Sequence, residues 1–285
     1  EFDKVLEKIA GLCPVEDARR IIMNTSPSVS ANEIKTRLAE TSEAKALIQV
    51  KSRPSFSGVK DISPYLERAH KGAYLSMAEL LDIAALLREC SSAKTYFAQV
   101  NPESLMYGYA ARIACNKFLE EKISTSIISE ELMADSASNE LYDIRRKIRN
   151  AQNKVRDTLQ KYVSGGESSK YLQENIITMR SGRYVIPVKN EYKNEIKGIV
   201  HDASSSGATV FIEPMGVVEA NNELRALESR EKAEIEKILR SLTDEAVRFG
   251  ADLLQDADVL TKLAAIFAKA QYSLTRTAAN PKSIR

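Results

Sequence analysis

Apolar residues along this chain fall mostly at spacings of three and four, the period of an amphipathic helix, and one stretch breaks that rule. From Asn139 onward, Leu141, Ile144, Ile148, Ala151, Val155, Leu159 and Tyr162 form one narrow stripe, and the opposite face is almost wholly charged. A second stripe follows at Val217, Ala220, Leu224, Leu227, Ile235, Ile238, Leu242 and Phe249, interrupted on its seam by Glu231. Two narrow stripes of similar length predict long helices packed on each other rather than into a wide core. At the rise of an α-helix they would be roughly 38 Å and about 50 Å long, the dimensions of a lever.

Between the stripes the period changes. Residues 174–189 and 196–214 are rich in β-branched side chains and are punctuated by Ser181-Gly182 and by Ser204-Ser205-Ser206-Gly207. Both are hairpin signals, so this insert predicts a small antiparallel meander of about four strands. Pro187 cannot donate to a ladder and is expected at an edge or a bulge.

The remainder reads as a series of helices. Ser30 with Glu33, and Ser76 with Glu79, have the spacing of capping boxes. Arg53-Pro54-Ser-Phe-Ser-Gly58 marks a loop, a short helix starts ahead of Pro64, and Asn101-Pro102 ends one helix and opens the next. Leu253 to Leu274 is again amphipathic and should dock on the N-terminal helices. The expected class is therefore mainly α, with β-signal confined to the insert. The expected parts are a discontinuous helical core (1–135 with 251–285), an antiparallel lever pair (136–165 and 215–250) and a β-rich clamp at the tip (166–214).

At 285 residues the chain can bury a real core, but a net charge of +2 says little about partners. Cys13, Cys90 and Cys115 are odd in number and far apart, which fits buried reduced thiols. No long uncharged apolar run or leader pattern is present, so a cytoplasmic protein with no membrane contact is expected. Candidate chemistry is sparse. There is no Gly-rich phosphate loop ending in Lys-Ser/Thr. The two histidines, His70 and His201, have no Cys/His/carboxylate cluster around them in sequence, so no metal is expected. The serine run Ser204 to Ser206 reads as a turn, and Phe118-Leu-Glu120, although it has a Phe-x-Glu pattern, falls in a helical stretch.

Charge distribution is more informative. Residues 139–201 carry thirteen Lys/Arg against seven Asp/Glu, whereas 215–250 carry six against eight. The candidate contacts are Arg145, Arg146, Arg149 and Lys154 on the first long helix and Lys170, Arg180, Arg183, Lys189, Lys193 and Lys197 in the insert. Two readings fit. One is phosphate-backbone contact without base reading; the other is a solvated helix face with ion pairs across the helix hairpin.

Several strings carry a resemblance: Asp135-Ser-Ala-Ser-Asn-Glu-Leu141 with Arg145, Arg180-Ser-Gly-Arg-Tyr-Val-Ile-Pro-Val188, Gly198 through Pro214, and Asn221-Asn-Glu-Leu224. Together they resemble the core, lever and clamp of the MutS-two branch, bacterial MutS paralogues that end in an Smr nuclease domain. The resemblance covers nearly the whole chain and implies an N-terminal fragment that stops at Asn280-Pro281-Lys-Ser-Ile-Arg285, ahead of the ATPase and Smr domains. It implies no enzyme activity and no cofactor in this stretch, with ATP and Mg belonging to the ATPase. It further implies a homodimeric clamp on branched DNA or on ribosomal RNA, in restraint of recombination or rescue of collided ribosomes; this stretch alone can be monomeric. Two alternatives stay open: a helical interaction or dimerisation module without nucleic-acid contact, and an enzyme using His201 and Asp202.

Overall fold

The structure, a computed structural model, describes residues 2–276. The terminal string ending at Arg285, and the last part of the expected core range 251–285, lie outside the described residues. Helices are α1 (Phe2–Ala10), α2 (Glu16–Met23), α3 (Ala31–Lys51), α4 (Ser63–His70), α5 (Met77–Phe97), α6 (Leu105–Ala110), α7 (Lys117–Ser126), α8 (Asn139–Val163), α9 (Met215–Arg248) and α10 (Gly250–Thr275). Strands are β1 (Ile127–Ser129), β2 (Leu132–Met133), β3 (Thr178–Arg180), β4 (Arg183–Lys189), β5 (Gly198–Ala203) and β6 (Thr209–Pro214). The class is mainly α with small antiparallel sheets, as the periodicity predicts. The chain divides into two compact units: the described residues up to Ala134 with those from Leu239 on, and Asp135–Ile238.

In the first unit α10 is the central element, because it is apolar nearly all round: Leu253, Val259, Leu260, Leu263, Ala264, Ile266 and Phe267 are all buried. Phe267 sits among Phe56, Tyr96 and Phe97 with ring centroids 5.9–6.0 Å apart, in tilted and edge-on geometries that aromatic pairs favour. One charge is buried there. Asp256 accepts from Ala114 N at 2.7 Å and Cys115 N at 3.1 Å and takes the Cys90 thiol at 3.5 Å, so a carboxylate on α10 holds the loop where Cys115 adopts φ 61°. Burial, then Asp256, pushes the Cys90 thiol far above its ordinary range. The three cysteines are free thiols, Cys13 and Cys90 buried.

Capping follows the sequence at one predicted box and departs from it at the other. Ser76 and Glu79 cap α5 reciprocally. Ser30 caps α3, but Glu33 is drawn instead to the Ser28 hydroxyl and the Arg37 guanidinium, so the return half of the box is missing. β-structure is not confined to the insert, since β1 and β2 form a short hairpin before Asp135. Their five residues are too short for an alternating pattern to register.

In the Asp135–Ile238 unit, α8 starts where the Ser138 hydroxyl oxygen accepts from Leu141 N and ends at Ser164. Its buried stripe is the predicted one, except that Val163 rather than Tyr162 closes it. Ile144, Ile148 and Ala151 pack with Leu224 and Leu227 of α9. Farther along, Val155, Leu159 and Val163 meet Ile186, Val188, Val210 and Ile212 of the sheet, with Val217 and Ala220 of α9. The alternating residues of β4 and β6 thus supply one apolar face that seals the ends of both helices.

The sheet is antiparallel with strand order β3-β4-β6-β5, which corrects the expected meander. β6 enters between β4 and β5 because its apolar run pairs both neighbours, whereas β5 is exposed along most of its length and takes the edge. The β3–β4 turn is Ser181-Gly182 with φ 51° and 71°, the two positive values of a tight primed turn. Pro187 lies in an inner strand rather than at an edge or bulge, paired with Phe211. Its carbonyl accepts from Gln173 N, so its missing N–H faces the side where β3 has already ended and no ladder bond is lost.

Candidate nucleic-acid interface

The junction between the sheet and α9 is built around a carboxylate. Glu213, next to last in β6, is fully buried. Arg183 on β4 clasps it with Nη1 at 2.8 and 3.0 Å from its two oxygens, Asn221 on α9 donates to it at 2.8 Å, and His201 Nε2 lies 2.5 Å away. His201 can reach because β5 carries a bulge between Val200 and Asp202, the kind of irregularity that redirects a side chain. Asn221 also brackets the Tyr184 backbone, accepting from its N–H and donating to its carbonyl, and Arg183 Nη2 donates to Asn222 at 2.6 Å. Burial alone would raise the Glu213 pKa, yet the bonds from Asn221, His201 and Arg183 outweigh it and hold the carboxyl below its ordinary range. The knot ties β4, β5 and β6 to the first turns of α9.

A second knot sits near the start of α8. Arg145, with 14% of its side chain exposed, donates to Asp135 at 2.7 Å and to Glu231 at 2.6 Å. This explains the charged residue on the α9 seam: Glu231 is the partner of Arg145, not a fault in the packing. Burial opposes the Arg145 charge, but Asp135 and Glu231 more than restore it, and the bond from Arg145, aided by Arg149, lowers the Asp135 pKa.

The ten basic residues singled out from the sequence are therefore not alike. Arg183 and Arg145 have their guanidiniums taken up inside the unit. Arg180 lies over the Phe211 ring at 3.9 Å and pairs with Asp202 at 3.3 Å, still partly exposed. Arg146 and Arg149 are exposed and paired with Asp143 and Asp135. Lys170 and Lys189 lie together, the Lys189 amine donating to the Lys170 carbonyl at 3.2 Å, beside the Tyr171 and Tyr192 rings, which meet in a tilted pair. Lys154, Lys193 and Lys197 are exposed, and their amines hold no hydrogen bond or ion pair among the described residues. Lys147, Arg156 and Lys161 on α8 are exposed in the same way. No group of three His, Cys, Asp or Glu side chains suited to a metal occurs among the described residues, and none of their helices is long and apolar enough to cross a membrane.

Comparison with known proteins bears on the whole chain. No protein-family model matches it. Among curated proteins, the endonuclease MutS2 of Acetivibrio thermocellus is 41% identical over 278 residues, 96% of this chain and 35% of that protein. The endonuclease MutS2 of Ruminiclostridium cellulolyticum is 38% identical over 285 residues, 99% of this chain and 36% of that protein. The chain belongs to the MutS2 family. The putative endonuclease MutS2 of Bacillus subtilis, 37% identical over 285 residues, agrees, and the chain spans about a third of the length of the MutS2 relatives it matches. In this MutS2 chain the residues that sequence reasoning passed over are Glu213, Asn221 and Asn222. A glutamate inside the apolar run Thr209 to Pro214 was the available signal, because a buried carboxylate needs partners.

Proposed function

We propose that the Asp135–Ile238 unit of this MutS2 chain is a nucleic-acid contact arm that binds the phosphate backbone through Arg146, Arg149, Lys154, Lys170, Arg180, Lys189, Lys193 and Lys197. The observation that carries this reading is the set of exposed amines, Lys154, Lys193 and Lys197, left without internal partners in a unit where Arg145 and Arg183 are consumed by structure. Such cations release counterions when they meet phosphates, giving affinity without sequence preference. On this reading the stretch serves as lever and clamp of a homodimer that embraces branched DNA or ribosomal RNA, in restraint of recombination or rescue of collided ribosomes. The nuclease activity in the relatives' name, and the ATP and Mg chemistry of the resembled ATPase, belong to the part of those proteins that this chain does not span. A dimerisation module is the second reading, supported by Ile199 and Val200, exposed on the edge strand β5.

Fluorescence anisotropy with a branched DNA, a linear duplex and a ribosomal RNA hairpin, across a salt series, tests the proposal. We expect binding that weakens steeply with salt and collapses when Lys170, Lys189, Lys193 and Lys197 are changed to Glu. Absence of binding at low salt, with concentration-dependent self-association of the chain, would favour the dimerisation module.

A further inference from the structure

A cavity of about 520 Å³ opens in the first unit, lined by α2, α3, α6 and α10. Its wall carries four cations, Arg20, Arg37, Lys262 and Lys269, against a single carboxylate, Glu40. That carboxylate is engaged, because the Tyr109 hydroxyl donates to it at 2.7 Å. Burial and the Glu40 bond push the Tyr109 phenol up to about 12, so it stays a donor across ordinary pH.

The cations differ in how they are held. Arg20 pairs with Asp17, Arg37 with Glu33 and Lys262 with Asp258, each three or four residues away on its own helix. Such exposed pairs are worth only a few tenths of a kcal/mol, about 0.3–0.5, so these side chains can turn to a ligand at little cost. Lys269 is partly buried on α10 and has no hydrogen bond or ion pair among the described residues. Burial, and then the nearby Arg37, lower its pKa, and Glu40 offsets this in part. Of the four cations, Lys269 is the one left without a paired carboxylate among the described residues, at a wall where the other three are held only by local pairs. Beside the cations stand Ile21 and Ile266, and the volume is that of a small-molecule site.

We propose that this cavity binds a small phosphorylated anion, with the phosphate held by Lys269 and Lys262 and closed over by Arg37 and Arg20, and the carbon skeleton against Ile21, Ile266 and Tyr109. The site lies outside the unit assigned to nucleic-acid contact and stands whether or not that assignment does.

Titration calorimetry of the 285-residue chain at low salt, with pyrophosphate and with adenosine monophosphate as probes, tests the site. Saturable binding of one equivalent is expected, weakened about tenfold or more in Lys269→Met, the loss expected for one charge-assisted hydrogen bond, and largely retained in Lys269→Arg. Circular dichroism of both variants confirms that the helices persist. Arg37→Gln is the second variant and should weaken binding in the same direction. No saturable binding of either probe, or equal affinity in Lys269→Met, would overturn the proposal. So would a phosphodiester oligonucleotide that displaces pyrophosphate at equal concentration, because the cavity would then belong to an extended nucleic-acid track.

Discussion

The two units solve the same problem by different means. The first buries a wide apolar core around α10, with Phe267 seated among three other rings and Asp256 as an inner carboxylate that anchors one loop. The Asp135–Ile238 unit has only a narrow seam between α8 and α9 and one face of a small sheet, and it adds two ionic knots, at Glu213 and at Arg145. Apolar burial is indifferent to pH and modest salt, whereas ion pairs are not. The difference shows which cations of a basic unit serve the fold and which are left for a partner.

The largest expected effects set the two cores against each other. Phe267→Ala should cost about 3–5 kcal/mol by leaving a cavity among the rings, with little dependence on pH. Glu213→Ala should cost a similar amount, about 3–5 kcal/mol near neutral pH, by leaving Arg183 without its buried partner. Urea denaturation at two pH values distinguishes them. A folded pKa held below the ordinary range contributes stability that is present above the unfolded value, and this is lost as pH falls through the folded one. The Glu213→Ala penalty should therefore shrink in acid, and a penalty unchanged there would contradict the knot.

The next effect sharpens the same contrast. The carboxyls held below their ordinary range, Asp135 and Glu213, both lie in the Asp135–Ile238 unit. Amide hydrogen exchange on acidification below about pH 4 should show protection falling around β4, β6 and the start of α9 before it falls along α10. Simultaneous loss in both would remove the distinction. Smaller still, Gly198→Ala should cost about 1–3 kcal/mol, because a Cβ at that position would overlap the Glu213 carbonyl and the Ile212 side chain. Ser76→Ala, removing half of the α5 capping box, should cost about 1 kcal/mol and act only on the first unit.

Much of this was legible in the sequence for a physical reason. Stripes at helical spacing over α8 and α9 specify both the elements and their mutual face, and Ser-Gly at 181–182 specifies its turn through backbone conformation. Strand order was not legible. β4 and β6 are both apolar runs, and nothing local says that they pair with each other rather than in sequence order. The site was legible only as a tally of charge. Arg145 and Arg183 look like Lys154 and Lys193 in a count; what separates them is a carboxylate distant in sequence, Glu231 for one and Glu213 for the other. The bracing role of His201 was hidden likewise, since it depends on a bulge that shifts its side chain.

The division of cations into internal braces and phosphate binders is the central claim, and one paired measurement tests it most directly. Thermal stability and the salt dependence of nucleic-acid affinity would be recorded side by side for Arg183→Gln and for a triple variant with Lys154, Lys193 and Lys197 changed to Gln. The triple variant should keep its melting temperature while the slope of log affinity against log salt falls by about 0.9 for each phosphate no longer neutralised. Arg183→Gln should melt earlier and, at a temperature where it is folded, keep the slope. The reverse pattern, with the lysines governing stability and Arg183 governing the salt slope, would contradict the account.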